Sequence, residues 1–176
     1  ITASDVLLLQ LESPLPAVIR ALQIAHDAGV RTILNPAPGQ PLDPTLLGMV
    51  DVLTPNETEA ALVSGRSVTD IGDAEMAAEA LLATGVGTVV MTMGANGALI
   101  VSNDEVRQVP GEQVEVVDTT GAGDAFNGAL AVALAEGEPL PEAVAFANAA
   151  AALQVTRFGT APAMPYRDEV EELLAR

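Results

Sequence analysis

Residues Asp118–Ala129 read DTTGAGDAFNGA, and this stretch constrains the fold more tightly than any other. Gly121 and Gly123 permit a tight turn and a close approach of backbone to a ligand. The apolar run from about Gly123 to Glu136 reads as a helix that starts at this turn. Backbone N–H groups at such a helix start, with the positive end of its dipole, form an anion site. Asp124 places a carboxylate beside it. An acid there repels a resting phosphate. A base that takes a proton from a hydroxyl as it attacks a phosphoryl group is one reason to have it. The same residues also fit a plain helix N-terminus, with glycines before it and an acid favoured by the dipole.

The rest of the chain alternates short apolar runs with amphipathic stretches. Val6–Leu9 reads as a strand buried on both faces, and Arg31–Leu34, Val50–Leu53 and Thr88–Thr92 as further strands. Helices are expected from Ser13, as a cap with Pro14 at the first position, to about Ala28; from Pro55 to Ser64 before Gly65; from Asp73 to Thr84; from Pro141 to Thr156; and from Tyr166 to Ala175. Ala98–Val101 and Val106–Val109 suggest a hairpin across Ser102-Asn103-Asp104, and Val114–Val117 a further strand. Strand–helix alternation of this kind predicts an α/β fold with a mostly parallel sheet covered on both faces. Ligands of such folds bind beyond the carboxyl ends of the strands. Glu12, Asn35, Asn56 with Glu59, and Gly94 each follow one of those strands.

Composition excludes several functions. The 176 residues suffice for one domain with a core. There is no cysteine, so no disulfide and no thiolate metal site. Twenty-four acids against seven arginines, with no lysine, give a net charge of −17. Such a surface repels nucleic acid and anionic membranes, and neither is an expected partner. Without lysine there is no Walker A loop, so phosphate charge must be met by backbone N–H groups, a metal or arginine. No apolar run approaches a membrane span, no signal-peptide pattern is visible, and a cytoplasmic protein is expected. A chain that opens on Ile1 reads as a fragment or a cleaved product.

Several polar residues admit two readings at this level. Thr54, Pro55 and Glu57 fit a capping box, which leaves Asn56 and Glu59 unexplained. Thr92-Met93-Gly94-Ala95-Asn96-Gly97 is a strand end followed by a glycine turn, in itself only a hairpin signal. Asn148 is the lone polar side chain between Ala143 and Ala152, and as a buried amide it needs a partner. Asn35 fits the turn before Pro36 as well as it fits a ligand. Glu12 fits a solvated acid, and Asp118 a cap or turn residue. His26 reads as a boundary residue, and Met91 and Met93 as core filling.

Asp118–Ala131 resembles, without gaps, the second signature of the PfkB (ribokinase-like) carbohydrate kinases. QLESP at Gln10–Pro14, NPAP at Asn35–Pro38, TPNETEA at Thr54–Ala60 and AAAALQVTRFGTAPAMP at Ala149–Pro165 resemble the ribose-phosphorylating branch of that family in order and spacing. The resemblance covers nearly the whole chain but only the C-terminal part of a typical member. It implies a three-layer α/β/α fold whose N-terminal part and lid are missing here, so that residues 1–176 are the ATP-binding and catalytic portion of one kinase domain. The implied activity is transfer of phosphate from ATP to D-ribose, giving D-ribose 5-phosphate. Another sugar or nucleoside of the family, such as fructose or a deoxysugar, and an inactive nucleotide-binding fragment remain as alternatives.

By the same resemblance Asp124 is the catalytic base and contacts the sugar, and Gly121, Ala122 and Gly123 form the anion hole. Glu12 is a further sugar contact. Asn56, Thr92, Gly94, Gly97, Gly123 and Asn148 lie along the nucleotide. Glu59 holds Mg²⁺ through water, which suits an ion that keeps its hydration shell. K⁺ is implied at the Asp118 carboxylate and at backbone carbonyls that include those of Thr120, Val155 and Gly159, hard oxygen donors of the kind such a cation takes. The complete family member is expected to be a homodimer.

Overall fold

The computed structural model describes residues 1–175. Six strands hydrogen-bond in the order β1 to β6: β1 Val6–Gln10, β2 Arg31–Asn35, β3 Val52–Leu53, β4 Thr88–Thr92, β5 Ala98–Val101 and β6 Val106–Val109. The first four run parallel. Val6 pairs with Arg31 through to Gln10 with Asn35, Leu34 pairs with Leu53, and Leu53 with Val89. A four-residue connection, too short for a parallel crossover, makes β5 and β6 a hairpin. The chain divides into two compact units.

The first unit comprises residues 1–93 and 99–108 and carries the sheet apart from Ala98 and Val109. Helices α1 Leu15–Ala28, α2 Pro44–Leu47, α3 Glu57–Ser64 and α4 Ile71–Leu82 connect its strands. Val18 and Leu22 of α1, Ala60 of α3 and Ala74, Ala77 and Leu81 of α4 pack against Leu34, Leu53, Val89, Met91 and Leu99 of the sheet in one buried cluster. Each fully buried leucine contributes roughly 1.5–3 kcal/mol of transfer free energy.

Three expectations about this unit are corrected. Ser13 does not cap α1; the helix begins at Leu15 with Pro14 at the capping position and no side-chain cap. α3 begins two residues later than expected, because Thr54 and Pro55 continue the sheet. Thr54 N–H donates to the Leu34 carbonyl at 2.9 Å, and the Pro55 carbonyl accepts from Thr92 N–H at 2.9 Å. β3 has two residues rather than four, and on the β2 side Asp51 bonds to Thr32 through its carboxylate and its N–H. Its carboxylate accepts from the Thr32 N–H at 2.7 Å and hydroxyl at 3.0 Å, and its own N–H donates to that hydroxyl at 2.9 Å. The short helix α2 has a visible signal in retrospect: Asp43 caps it by accepting from Thr45 N–H at 2.8 Å, with Pro44 next in the chain.

The second unit comprises residues 94–98 and 109 onwards. Helices α5 Ala122–Ala135 and α6 Leu140–Val155 form a hairpin, and α7 Arg167–Leu174 packs on α6. Ala149, Ala150 and Val170 are the buried centre of that contact, with Phe146, Leu153 and Leu173 against them. Ion pairs Arg157–Glu169 and Arg167–Glu136 tie the first turn of α7 to the preceding loop and to the end of α5. The strand expected at Val114–Val117 does not form. Val116 and Val117 are each 59% exposed, and the N–H groups of Val117 and Asp118 both go to the Val155 carbonyl rather than to a strand. No helix among the described residues is long and apolar enough to cross a membrane.

Candidate functional site

In the first unit the parallel register brings the residues that follow β1 to β4 to one sheet edge. Glu12 lies there, exposed, two residues beyond β1. Asn35 ends β2 and is committed internally: its Nδ2 donates to the Thr54 carbonyl at 2.7 Å, and its Oδ1 accepts from Gln10 Nε2 at 3.1 Å. Asn56 pairs with Thr92 as a bridge that extends the ladder.

Asn56 and Glu59, rather than Thr54 and Glu57, form the capping box of α3. Asn56 Oδ1 accepts from Glu59 N–H, and Glu59 Oε2 accepts from Asn56 N–H, each at 2.9 Å. The box aims a half-buried carboxylate from the first turn of α3. Burial pushes the Glu59 carboxyl above its ordinary value of 4.5, against the lowering effect of the Asn56 N–H. Gly39, unremarked in the sequence, lies hard against this residue. A Cβ there would sit 2.7 Å from a Leu62 methyl and 3.4 Å from Glu59 Cα and Cγ.

In the second unit the glycine turn opens α5. Gly121 caps the helix at φ 85°, a left-handed conformation open to glycine. A Cβ on it would meet Gln154 Nε2 at 2.9 Å. Gly123 has no such neighbour within 4 Å and faces open space. Ala122 N–H donates to the Thr119 carbonyl at 3.2 Å, which leaves the amides of Gly121 and Gly123 as the candidate anion donors. Asp124 stands exposed in the first turn of α5. It borders a cleft of about 270 Å³ whose other walls include Gly128, Val132, Phe146 and Met164. One turn on, the buried Asn127 donates from Nδ2 to the Gly123 carbonyl at 2.8 Å and pins the start of the helix. Sequence reading passed over Asn127, although a polar residue four positions after Gly123 in an apolar helix was the signal.

The residues expected around a cation do come together. Asp118 Oδ1 accepts from Thr120 N–H at 2.9 Å and Oδ2 from Gly159 N–H at 3.1 Å. Bonds from Thr120 and then Gly159 hold the Asp118 carboxyl below its ordinary value. Gln154 stands among them, fully buried. Its Nε2 donates to the Thr120 carbonyl at 2.5 Å and the Gly159 carbonyl at 3.1 Å, and its Oε1 has no partner. Sequence reading missed this residue too; a glutamine one position before the end of an apolar helix was its mark.

The turn at Gly94–Gly97 is shaped by close approach. Gly94 is exposed at φ 55° with open space around it. A Cβ at Gly97, φ 83°, would stand 2.1 Å from the Val109 carbonyl oxygen and 2.4 Å from Gly111 N. Asn148 braces the same crossing: its Nδ2 donates to the carbonyls of Val109 at 3.2 Å and Pro110 at 3.1 Å. Among the described residues no group of three or more His, Asp or Glu side chains forms a direct metal cage.

The family model described as pfkB family carbohydrate kinase matches residues 1–167. The chain belongs to this family. It is 44% identical to the ribokinase of Haemophilus influenzae over 174 residues, 99% of this chain and 57% of that protein. Its structure superposes on ribokinase from Thermotoga maritima with a TM-score of 0.91 at 41% identity, covering 98% of this chain and 57% of that one. It superposes on Arabidopsis thaliana ribokinase complexed with ribose and ATP with a TM-score of 0.95 at 35% identity, covering 99% and 57%. These likenesses show the three-layer α/β fold. The chain spans little more than half the length of these relatives. Two similar Escherichia coli structures contain ions. A putative ribokinase II is in complex with ATP and Mg²⁺ (28% identity, TM-score 0.83, covering 98% and 59%), and phosphofructokinase-2 is in complex with potassium (26%, 0.81, covering 98% and 57%).

Proposed function

We propose that residues 1–176 are the ATP-binding and catalytic portion of a pfkB-family kinase that phosphorylates D-ribose to D-ribose 5-phosphate. The observation that carries this reading is the turn at the head of α5: a left-handed Gly121 locked against Gln154, an open Gly123, and a carboxylate one residue later. The high identity to ribokinases supports ribose as the sugar.

In this reading Asp124 accepts the proton of the primary hydroxyl as its oxygen attacks the γ-phosphate of ATP in line. The N–H groups of Gly121 and Gly123, at the positive end of the α5 dipole, stabilise charge on the phosphoryl oxygens. Glu12 contacts the sugar. Asn56, Thr92, Gly94, Gly97 and Asn148 lie along the nucleotide; the Asn148 side-chain nitrogen is already spent on Val109 and Pro110, so it acts by holding the Gly97 crossing.

Mg²⁺ fits the residues present. A single half-buried carboxylate, fixed by a capping box and without a cage around it, suits an ion that keeps its waters and takes its other oxygens from phosphate. Glu59 would hold it through water, and when bound it would neutralise the phosphates. K⁺ fits less well. Two of its expected carbonyls already converge on Gln154 Nε2, the Val155 carbonyl already accepts two N–H groups, and both Asp118 oxygens are engaged.

The test is ADP release with Mg²⁺-ATP over a panel of ribose, deoxyribose, fructose and nucleosides. Ribose is expected to give the largest kcat/KM. Preference for another sugar would move the chain to another branch of the family, and ATP binding without release for any sugar would reduce the reading to nucleotide binding.

A further inference from the structure

We propose that the side-chain amide of Gln154 occupies the place of a monovalent cation, so that the turn heading α5 is braced without K⁺. The carbonyls of Thr120 and Gly159 belong to two separate loops, yet both point at one atom, Gln154 Nε2, at 2.5 and 3.1 Å. Two carbonyl oxygens aimed at one point repel each other unless a positive group lies between them. An NH₂ group supplies that charge with two N–H bonds, one for each carbonyl. Among the described residues the position is held by no basic side chain. The chain has no lysine, and Arg157 on the same loop is turned to Glu169. The Asp118 carboxylate closes the same ring by accepting from Thr120 N–H and Gly159 N–H, and so needs no cation to hold it either.

The orientation of the amide follows from its neighbours. Flipped, it would bring Oε1 against the Thr120 and Gly159 carbonyls, three oxygens together, an arrangement that only a cation would stabilise. With Nε2 inward no cation is needed, and the cost is an Oε1 buried without a partner. Gln154 is a positioning residue: it touches no reacting atom and acts by fixing the Thr120 carbonyl, next to Gly121. The inference rests on reading Asp118–Asp124 as the anion-binding turn, but its test reads cation response rather than catalysis, so the two fail separately.

The test compares thermal melting of the 176-residue chain in choline chloride and in KCl at equal ionic strength, with rubidium retention in equilibrium dialysis as a direct readout of binding. The wild type is expected to melt at the same temperature in both salts and to retain no rubidium. Gln154→Ala opens the space between the carbonyls. It should melt lower in choline and regain about 3–6 °C in KCl at ten times the dissociation constant. Gln154→Met, which fills the space without donors, should melt lower in both salts. A wild type that is stabilised by K⁺ as strongly as Gln154→Ala, or that retains rubidium, would overturn the proposal, since its amide would then have Oε1 inward as a ligand. A folded Gln154→Ala indifferent to K⁺ would overturn it as well. If Gln154→Ala does not fold, wild-type dialysis decides alone.

Discussion

Replacing Gly121 with alanine tests the turn at the head of α5 through stability alone. Two penalties follow from its geometry. A Cβ at φ 85° costs about 1–2 kcal/mol of backbone strain. The same atom would lie 2.9 Å from Gln154 Nε2, closer than real contacts allow. Gln154 must then retreat and weaken its bond to the Thr120 carbonyl, at about 0.5–1.5 kcal/mol more. The sum is about 1.5–3.5 kcal/mol, or a fall of roughly 3–14 °C in melting temperature for a chain of this size. Differential scanning calorimetry on Gly121→Ala, Gln154→Ala and the double variant separates the terms. The double variant should be less destabilised than the sum of the singles, by about the contact term. Gly123→Ala is the control. It is helical with nothing within 4 Å of the new atom, so it should keep or gain stability, by up to about 1 kcal/mol, while ADP release falls because the methyl lies on the open side of the turn. A Gly121→Ala protein that melts within about 2 °C of wild type would refute this account of the turn.

Further expectations concern the polar residues around it. Glu59→Gln should leave stability nearly unchanged, since glutamine also accepts from Asn56 N–H, yet should weaken Mg²⁺-dependent ATP binding measured by calorimetry. In the wild type that binding should weaken as pH falls towards the Glu59 pKa, which burial raises above 4.5, because protonation removes the charge; the glutamine variant should lose this dependence. The Asp118 carboxyl is held below its ordinary 3.8, so its bonds stabilise the fold above that value and are lost as pH falls through the lowered one. Asp118→Asn should therefore flatten the acid limb of a urea-midpoint profile. Asn148→Leu leaves the Val109 and Pro110 carbonyls without their donor and should cost about 1–3 kcal/mol in urea titration.

The mostly parallel sheet was legible because Val6–Leu9 is a continuous apolar run and the strand segments at Arg31–Leu34, Val50–Leu53 and Thr88–Thr92 follow it at spacings too long for hairpins. Element ends were less legible, because side chains bond across strands at positions local pattern cannot reveal. Thr54 looks like a cap and serves the ladder; Asp51 looks like the middle of a strand, and its carboxylate and N–H bond to Thr32 while its carbonyl accepts from Thr88 N–H. Val114–Val117 alternates as a strand does, but its backbone finds the Val155 carbonyl rather than a strand. In the candidate site, Asp118, Gly121, Gly123 and Asp124 stood out because glycines and acids beside an apolar helix need a reason. Asn127 and Gln154 did not stand out. Each looks like an isolated polar residue until the fold supplies the carbonyls it meets, those of Gly123, Thr120 and Gly159.

The central claim is that this turn holds the base of a sugar kinase. It is tested most directly by ribose-dependent ADP release from Mg²⁺-ATP, wild type beside Asp124→Ala, with ATP affinity measured on both proteins. The account predicts release that requires ribose, a fall of about 10²–10⁴ in turnover for Asp124→Ala, and unchanged ATP affinity. Equal turnover in the two proteins, or a loss confined to ATP affinity, would contradict it.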